Sequence, residues 1–186
     1  MAEIRLTART PLGGHDETIG GCRLREVTET DIVSVAWPEA KGGDVGNGLK
    51  ALGLSMPEPT LTSAAEGARA VRTTPDQCLL LLDADGDGSI ARVSKALGET
   101  AYLTRQTDNW VICEFSGAGV MDALERLCPI DLSPAVFPVG ASARTVMEHM
   151  GALIIRTGDD AFWVMSASSS ARSFEHALTT SMRYVA

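Results

Sequence analysis

The chain is expected to fold as an α+β unit built from two ferredoxin-like halves, each a split βαβ arrangement. Three observations predict this. The first is an internal repeat. Residues 72–82 read RTTPDQCLLLL and residues 156–166 read RTGDDAFWVMS, so Arg72, Thr73 and Asp76 map onto Arg156, Thr157 and Asp160 with one constant offset of 84. The second is that each copy runs on through a small-residue loop into an apolar-periodic segment, with Ala91-Arg92 in one case and Ala171-Arg172 in the other. The third is the order of segments, β-α-β-β-α-β and then β-α-β-β-β-α. The halves fall at 26–106 and 107–186 of a single domain over 1–186, preceded by an extended arm at 1–23.

Taken in order, residues 1–23 are rich in Gly, Thr and Pro and show no periodicity. They read as an arm that is mobile until a partner orders it. Residues 32–37 are a β-type run that stops at Pro38. Val45, Leu49 and Leu52 lie at helical spacing, and Gly53 supplies the stop. Residues 55–67, with Pro57 and Pro59, read as a loop. Strands at 68–73 and 77–82 flank a Pro75-Asp76 turn. A helix over 89–98 puts Ile90, Val93 and Leu97 on one face, and 100–105 returns as a strand.

In the second half, residues 110–115 alternate, with Val111, Cys113 and Phe115 on one face. Val120, Leu124 and Leu127 mark a helix. Pro129, Pro134 and Pro138 stiffen a long connection. Residues 143–149, 152–157 and 161–166 read as three strands. Ala171, Phe174, Leu178 and Met182 form the apolar stripe of a last helix.

Bulk properties exclude several function classes. With 45% hydrophobic residues, 186 residues bury a sizeable core. A net charge of −8 argues against nucleic acid and against an anionic membrane surface. Cys22, Cys78, Cys113 and Cys128 form no C-x-x-C pair and no zinc-spaced cluster with histidine, so they read as reduced thiols. The start, MAEIRLTARTPLGG, lacks a signal-peptide core, and no run approaches the ~18 apolar residues of a membrane span. A soluble cytoplasmic protein is the expectation.

No motif in the chain carries convincing chemistry. Asp83, Asp85, Asp87 and Gly88 begin like an EF-hand loop, but Ser94 stands where the closing carboxylate belongs and a strand precedes the run. A turn capping the next helix is the better reading. Gly46-Asn47-Gly48 with Ala51 matches G-x-G-x-x-A without the strand that a dinucleotide site requires, so it reads as a glycine-softened helix start. Ser168-Ser169-Ser170, His149 and Asp159 suggest a hydrolase set, yet no G-x-S-x-G elbow frames them. The serines read as a helix cap. His149 reads as a structural residue on the strand face of Thr145 and Met147. His15, His149 and His176 lack metal spacing. Arg144 and Glu148 share a strand face about 13 Å apart and are solvated or meet a partner. Of Trp37, Trp110 and Trp163, two are expected in the core and one at an interface. No catalytic, cofactor-binding or metal residue is assigned.

One segment carries a resemblance. Residues 127–178 contain Cys128-Pro129-Ile130-Asp131-Leu132, Phe137-Pro138, Ala143-Arg144-Thr145 and Ser170-Ala171-Arg172-Ser173-Phe174. They closely resemble the gamma subunit of heterotetrameric sarcosine oxidase, and the likeness extends more weakly back to about residue 30. That family is similar in fold to the folate-binding domain of glycine-cleavage T-proteins. The resemblance implies a non-catalytic structural subunit that assembles with alpha, beta and delta subunits in a complex that oxidatively demethylates sarcosine to glycine. It implies no cofactor in this chain, with FAD, FMN, NAD, zinc and tetrahydrofolate on the partners. The competing expectation is a stand-alone folate-binding protein or aminomethyl transferase relative.

Overall fold

Runs such as Cys78–Leu82 have no polar side to turn toward water, so their strands need cover on both faces. The fold supplies it. The computed structural model describes residues 7–186. In chain order, a hairpin of β1 (Asp16–Ile19) and β2 (Cys22–Glu26) leads into the first half. That half comprises β3 (Thr30–Ala36), α1 (Gly42–Lys50), β4 (Thr62–Ala65), β5 (Ala68–Thr74), β6 (Gln77–Asp83), α2 (Asp87–Leu97) and β7 (Tyr102–Arg105). The second comprises β8 (Trp110–Ser116), α3 (Val120–Glu125), β9 (Ser142–Met147), β10 (Met150–Gly158), β11 (Ala161–Ala167) and α4 (Ala171–Val185).

Two antiparallel sheets result, in the orders β4-β5-β6-β3-β7 and β1-β2-β8-β11-β10-β9. The run β7-β3-β6-β5 has the strand order of a split βαβ unit, with β4 added at its edge. Side-chain parity sorts each strand between two cores. In β6, Cys78, Leu80 and Leu82 face Val45 and Leu49 of α1 and Val93 and Leu97 of α2. Leu79 and Leu81 face the other way, onto Ile112, Leu153, Ile155 and Met165 of the second sheet. In that sheet, Cys113, Phe115, Ile154, Phe162 and Val164 pack under Leu124 of α3 and under Phe174, Leu178 and Met182 of α4. The molecule is therefore four layers, helix-sheet-sheet-helix.

The repeat is the β5–β6 hairpin and its counterpart β10–β11, and both carry a register shift at the matching place, Arg72/Thr74 and Arg156/Gly158. The arginines do matching work. Arg156 is buried, and its guanidinium donates to the carbonyls of Gly158, Asp159, Leu132 and Phe137 while lying 5.2 Å from the Phe162 ring centroid. It closes its own hairpin turn and ties down the proline-rich connection. Arg72 donates to the carbonyls of Pro75 and Pro57, closing its turn and holding the loop before β4.

The registers also locate a pseudo-twofold axis. Val71 pairs with Thr62 and its equivalent Ile155 pairs with Ser142, so Thr62 and Ser142 correspond. Thr62 donates its N–H to Gly140 and Ser142 donates its N–H to Thr60, both at 2.8 Å, around a bridge between Leu61 and Ala141. Equivalent residues thus pair with each other where the edges of the two sheets meet. Thr60 and Gly140, the matching acceptors, both have left-handed φ, at 66° and 88°.

Several expectations need correction. The described part of the arm at 1–23 is structured, and residues 1–6 of it lie outside the described residues. β2 pairs with β8 as β7 pairs with β3, so the N-terminal hairpin supplies the strand the second half lacks. Leu24 is fully buried there, and Glu26 accepts from the N–H groups of Leu12 and Gly14 and from Thr10 Oγ1, fixing the chain before β1. The loop at 55–67 contains β4. The strand at 143–149 ends at Met147, because Glu148 and His149 form the turn into β10 with left-handed φ of 46° and 67°.

Leu24→Ala is expected to cost about 3 kcal/mol in urea unfolding, since a mobile arm would cost nothing. Arg156→Met is expected to cost about 3 kcal/mol, because it strands buried carbonyls, and Arg72→Met about 1 kcal/mol at its half-buried site. Equal losses at the two arginines would count against the burial argument.

Candidate functional site

The positions weighed from sequence do not converge. His149 and Asp159 lie at opposite ends of β10, about 33 Å apart along an extended strand. Ser168-Ser169-Ser170 form a 3-10 turn leading into α4 without a side-chain cap, and Ser168 Oγ donates instead to the Asp108 carbonyl. No hydrolase set is assembled from these residues. Glu148 sits in a turn, so it does not share a strand face with Arg144.

Gly46-Asn47-Gly48 lies inside α1, not at a phosphate-facing turn. A Cβ at Gly48 would stand 2.6 Å from Leu97 Cδ2 and 2.8 Å from the Ala96 carbonyl, so glycine here permits α1 and α2 to touch. The aspartate run follows β6 and enters α2, as expected, but it does not cap that helix with its own side chains. Asp31 of the neighbouring strand β3 instead ties the turn to the start of the helix. Its Oδ2 accepts from the Asp85 N–H and from Ser89 Oγ, both at 2.8 Å. Asp87 is exposed and pairs with Arg105 at 2.9 Å.

Burial opposes ionisation of Asp31, but the Asp85 N–H, the Ser89 hydroxyl, the Arg105 charge and Thr107 outweigh it and hold the carboxyl below its ordinary value. The four cysteines are free and buried, and burial pushes the Cys78 and Cys113 thiols up to about 12. Such thiols are inert as nucleophiles. Trp37 is in the core between the first sheet and its helices. Trp110 and Trp163 are half-buried and flank the layer between the sheets.

The residues the fold does bring together lie around Arg144. It lines three adjoining hollows at the open side of the inter-sheet layer, the one beside the pseudo-twofold bridge measuring about 300 Å³. Thr73, Gln106, Trp110 and Leu153 share these walls. Deeper in, Gln77 Nε2 donates to Ser34 Oγ at 2.8 Å, and Thr73 Oγ1 donates to the Gln77 carbonyl. Among the described residues, no carboxylate lines the hollows and none pairs with Arg144. The arrangement offers two cations, Arg144 and the Arg72 that lines the hollow beside the bridge, with amides, hydroxyls and an indole face. It suits contact with an anionic or acidic group and provides no acid–base pair. Sequence reading singled out Arg144 and Trp110 but not their proximity, because they lie on non-adjacent strands of one sheet.

A second surface lies next to the pseudo-twofold bridge. Val136, Val139 and Leu61 are exposed at 62%, 53% and 39% on the connection and the loop that Arg156 and Arg72 organise, while Phe137 between the valines is buried.

Known proteins share this outline. The family model described as "Sarcosine oxidase, gamma subunit family" matches residues 43–181. The chain is 29% identical over 153 residues to a sarcosine oxidase subunit gamma from Arthrobacter sp., covering 80% of this chain and 73% of that protein. Among solved structures it is similar in fold to a chain of the heterotetrameric sarcosine oxidase from Corynebacterium sp. U-96 in complex with pyrrole 2-carboxylate, with TM-score 0.80 and 22% identity over 88% of this chain and 85% of that one. It is also similar in fold to the glycine cleavage system aminomethyltransferase T from Bartonella henselae, with TM-score 0.60 and 14% identity over 87% of this chain and 46% of that one.

The anchoring carboxylate of Asp31 gives a pH signature. A folded-state pKa below the unfolded one stabilises fully above the ordinary carboxylate value of 3.8, and that stabilisation is lost as pH falls through and below it. Asp31→Asn should therefore destabilise by about 1–2 kcal/mol near neutral pH and by clearly less near pH 3, read from urea midpoints. A pH-independent loss would remove the carboxylate from this role.

Proposed function

The chain belongs to the sarcosine oxidase gamma subunit family, and from that premise we propose that it is a structural, non-catalytic member of a complex with alpha, beta and delta subunits that oxidatively demethylates sarcosine to glycine. The carrying observation is the family match over three quarters of the chain. The geometry supports the same reading. The side chains that suggested a hydrolase or nucleotide site stand apart or serve packing, as His149, Asp159 and Gly48 do. What the fold presents outward is a stiffened connection bearing Val136 and Val139 beside Leu61.

Prolines at 129, 134 and 138 and the Arg156 hydrogen bonds hold this connection in place before any partner arrives. An already ordered loop loses little entropy on capture, which favours it as a contact surface. FAD, FMN, NAD, tetrahydrofolate and the zinc expected as a cofactor of the complex are assigned to the partner chains.

Co-expression tests the assignment. This chain should co-purify with the alpha, beta and delta subunits of the same organism at one copy per complex. Assembly of those three into a fully active oxidase that leaves this chain out would refute the reading. Val136→Asp with Val139→Asp is expected to reduce co-purification at least about tenfold without shifting the unfolding midpoint of the isolated chain.

A further inference from the structure

We infer that His15, Glu17 and Glu175 form a site for a divalent transition-metal ion of the zinc class, which staples the N-terminal hairpin to α4. His15 immediately precedes β1 and Glu17 lies within it, so alternation along the strand places both side chains on one face. Glu175 lies in the second turn of α4, which packs over that sheet. His15 Nε2 is 3.8 Å from Glu17 Oε2 and 4.0 Å from Glu175 Oε1, and the three ligand atoms fall within 4.8 Å of one another.

The second observation concerns the histidine itself. Nε2 of His15 is shielded from solvent and has no hydrogen-bond partner. Its distances to the two carboxylates are too long for hydrogen bonds, so the three groups converge without bonding one another directly. A cation between the three atoms gives each of them a partner. With bonds of about 2.0–2.2 Å to nitrogen and oxygen, the donors need to close by well under 1 Å. One imidazole and two carboxylates neutralise a divalent charge and suit a borderline ion better than calcium, which takes six to eight oxygens. The competing charge is Arg183, whose guanidinium stands 3.8 Å from Glu17 Oε1, the oxygen the site does not use. Thr179 Oγ1 lies 3.4 Å from Glu175 Oε1 and 3.2 Å from the His176 carbonyl.

The ligands come from opposite ends of the chain, so the site ties the borrowed β1–β2 strands to the helix covering the half they complete. The experiment uses the purified full chain after EDTA dialysis, titrated with ZnCl2 by calorimetry and with CoCl2 by visible absorption. One equivalent of Zn2+ is expected to bind with micromolar or tighter affinity, and Co2+ to show bands of a low-coordinate site. At a hundredfold excess over Kd, Zn2+ should raise Tm by about 5–10 °C. His15→Asn and Glu175→Gln, each checked for folding by circular dichroism, should each weaken binding about 100-fold or more. Only millimolar binding in the unaltered chain, or binding unchanged in both variants, would overturn the site. These outcomes are independent of whether the chain assembles with other subunits.

Discussion

The second half of the molecule is organised around the buried guanidinium of Arg156. Burying a cation without a carboxylate partner is costly, and it is tolerated only when nearly every N–H finds an acceptor. Here four carbonyls provide them, two from the hairpin turn and two from the connection between α3 and β9. That connection has no regular structure of its own to satisfy its backbone groups. A single side chain therefore converts a long irregular segment into a fixed one and delivers Gly140 and Ala141 to the bridge with Leu61. Arg72 repeats the device with two carbonyls and greater exposure. The stronger version stands where the longer loop must be held.

The pseudo-twofold relation then decides the topology. Each half needs a strand beside its first one, β7 next to β3 and β2 next to β8. The first half draws that strand from its own end. In the second half, β2, which precedes the whole first half in sequence, takes that place. This closes the molecule into one unit, because the second sheet is incomplete until both ends of the chain have met. It also places a contact of very long sequence separation in the core, the kind of pairing whose loop-closure entropy slows folding.

The same topology decides which features were legible in the sequence. Leu79 to Leu82 and Leu153 to Ile155 announce strands buried on both faces, because no residue among them is left polar for solvent. The hairpin repeat is legible because turn closure by arginine and the bulge beside it demand the same residues twice. β1 and β4 were hidden for the opposite reason. Asp16–Ile19 and Thr62–Ala65 are edge strands, half-exposed and short, and they carry no apolar run. Left-handed Glu148 carried no signal, since it is not a residue that turns favour at positive φ, and His149, of a type that does occur there, continued an apparent strand. The anchor of the turn into α2 was invisible locally because its carboxylate comes from Asp31, more than fifty residues earlier. The groups around Arg144, and His15 with Glu175, share that property. Spacing rules detect sites built within one element, and these are built between elements.

The layered architecture also restricts how partners can bind. Both sheets spend most of one face on each other and most of the other on the chain's own helices, so among the described residues little sheet face is left for a second protein beyond the open side around Arg144. Docking must use edges, loops or helix backs. The β1 edge carries Asp16 and Glu17 side by side and the Asp16–Arg23 ion pair at 2.6 Å, a charged edge that discourages strand addition. At the β4 and β9 edges, the bridge through Leu61 and Ala141 occupies the hydrogen-bonding groups where the two sheets meet. What remains beside that junction is the connection held by Arg156, whose valines point outward while Phe137 anchors it inward. The same arginine that satisfies the loop's carbonyls thus leaves its apolar side chains outside, rigid and uncovered, which is the condition a protein surface needs to be bound at low entropic cost.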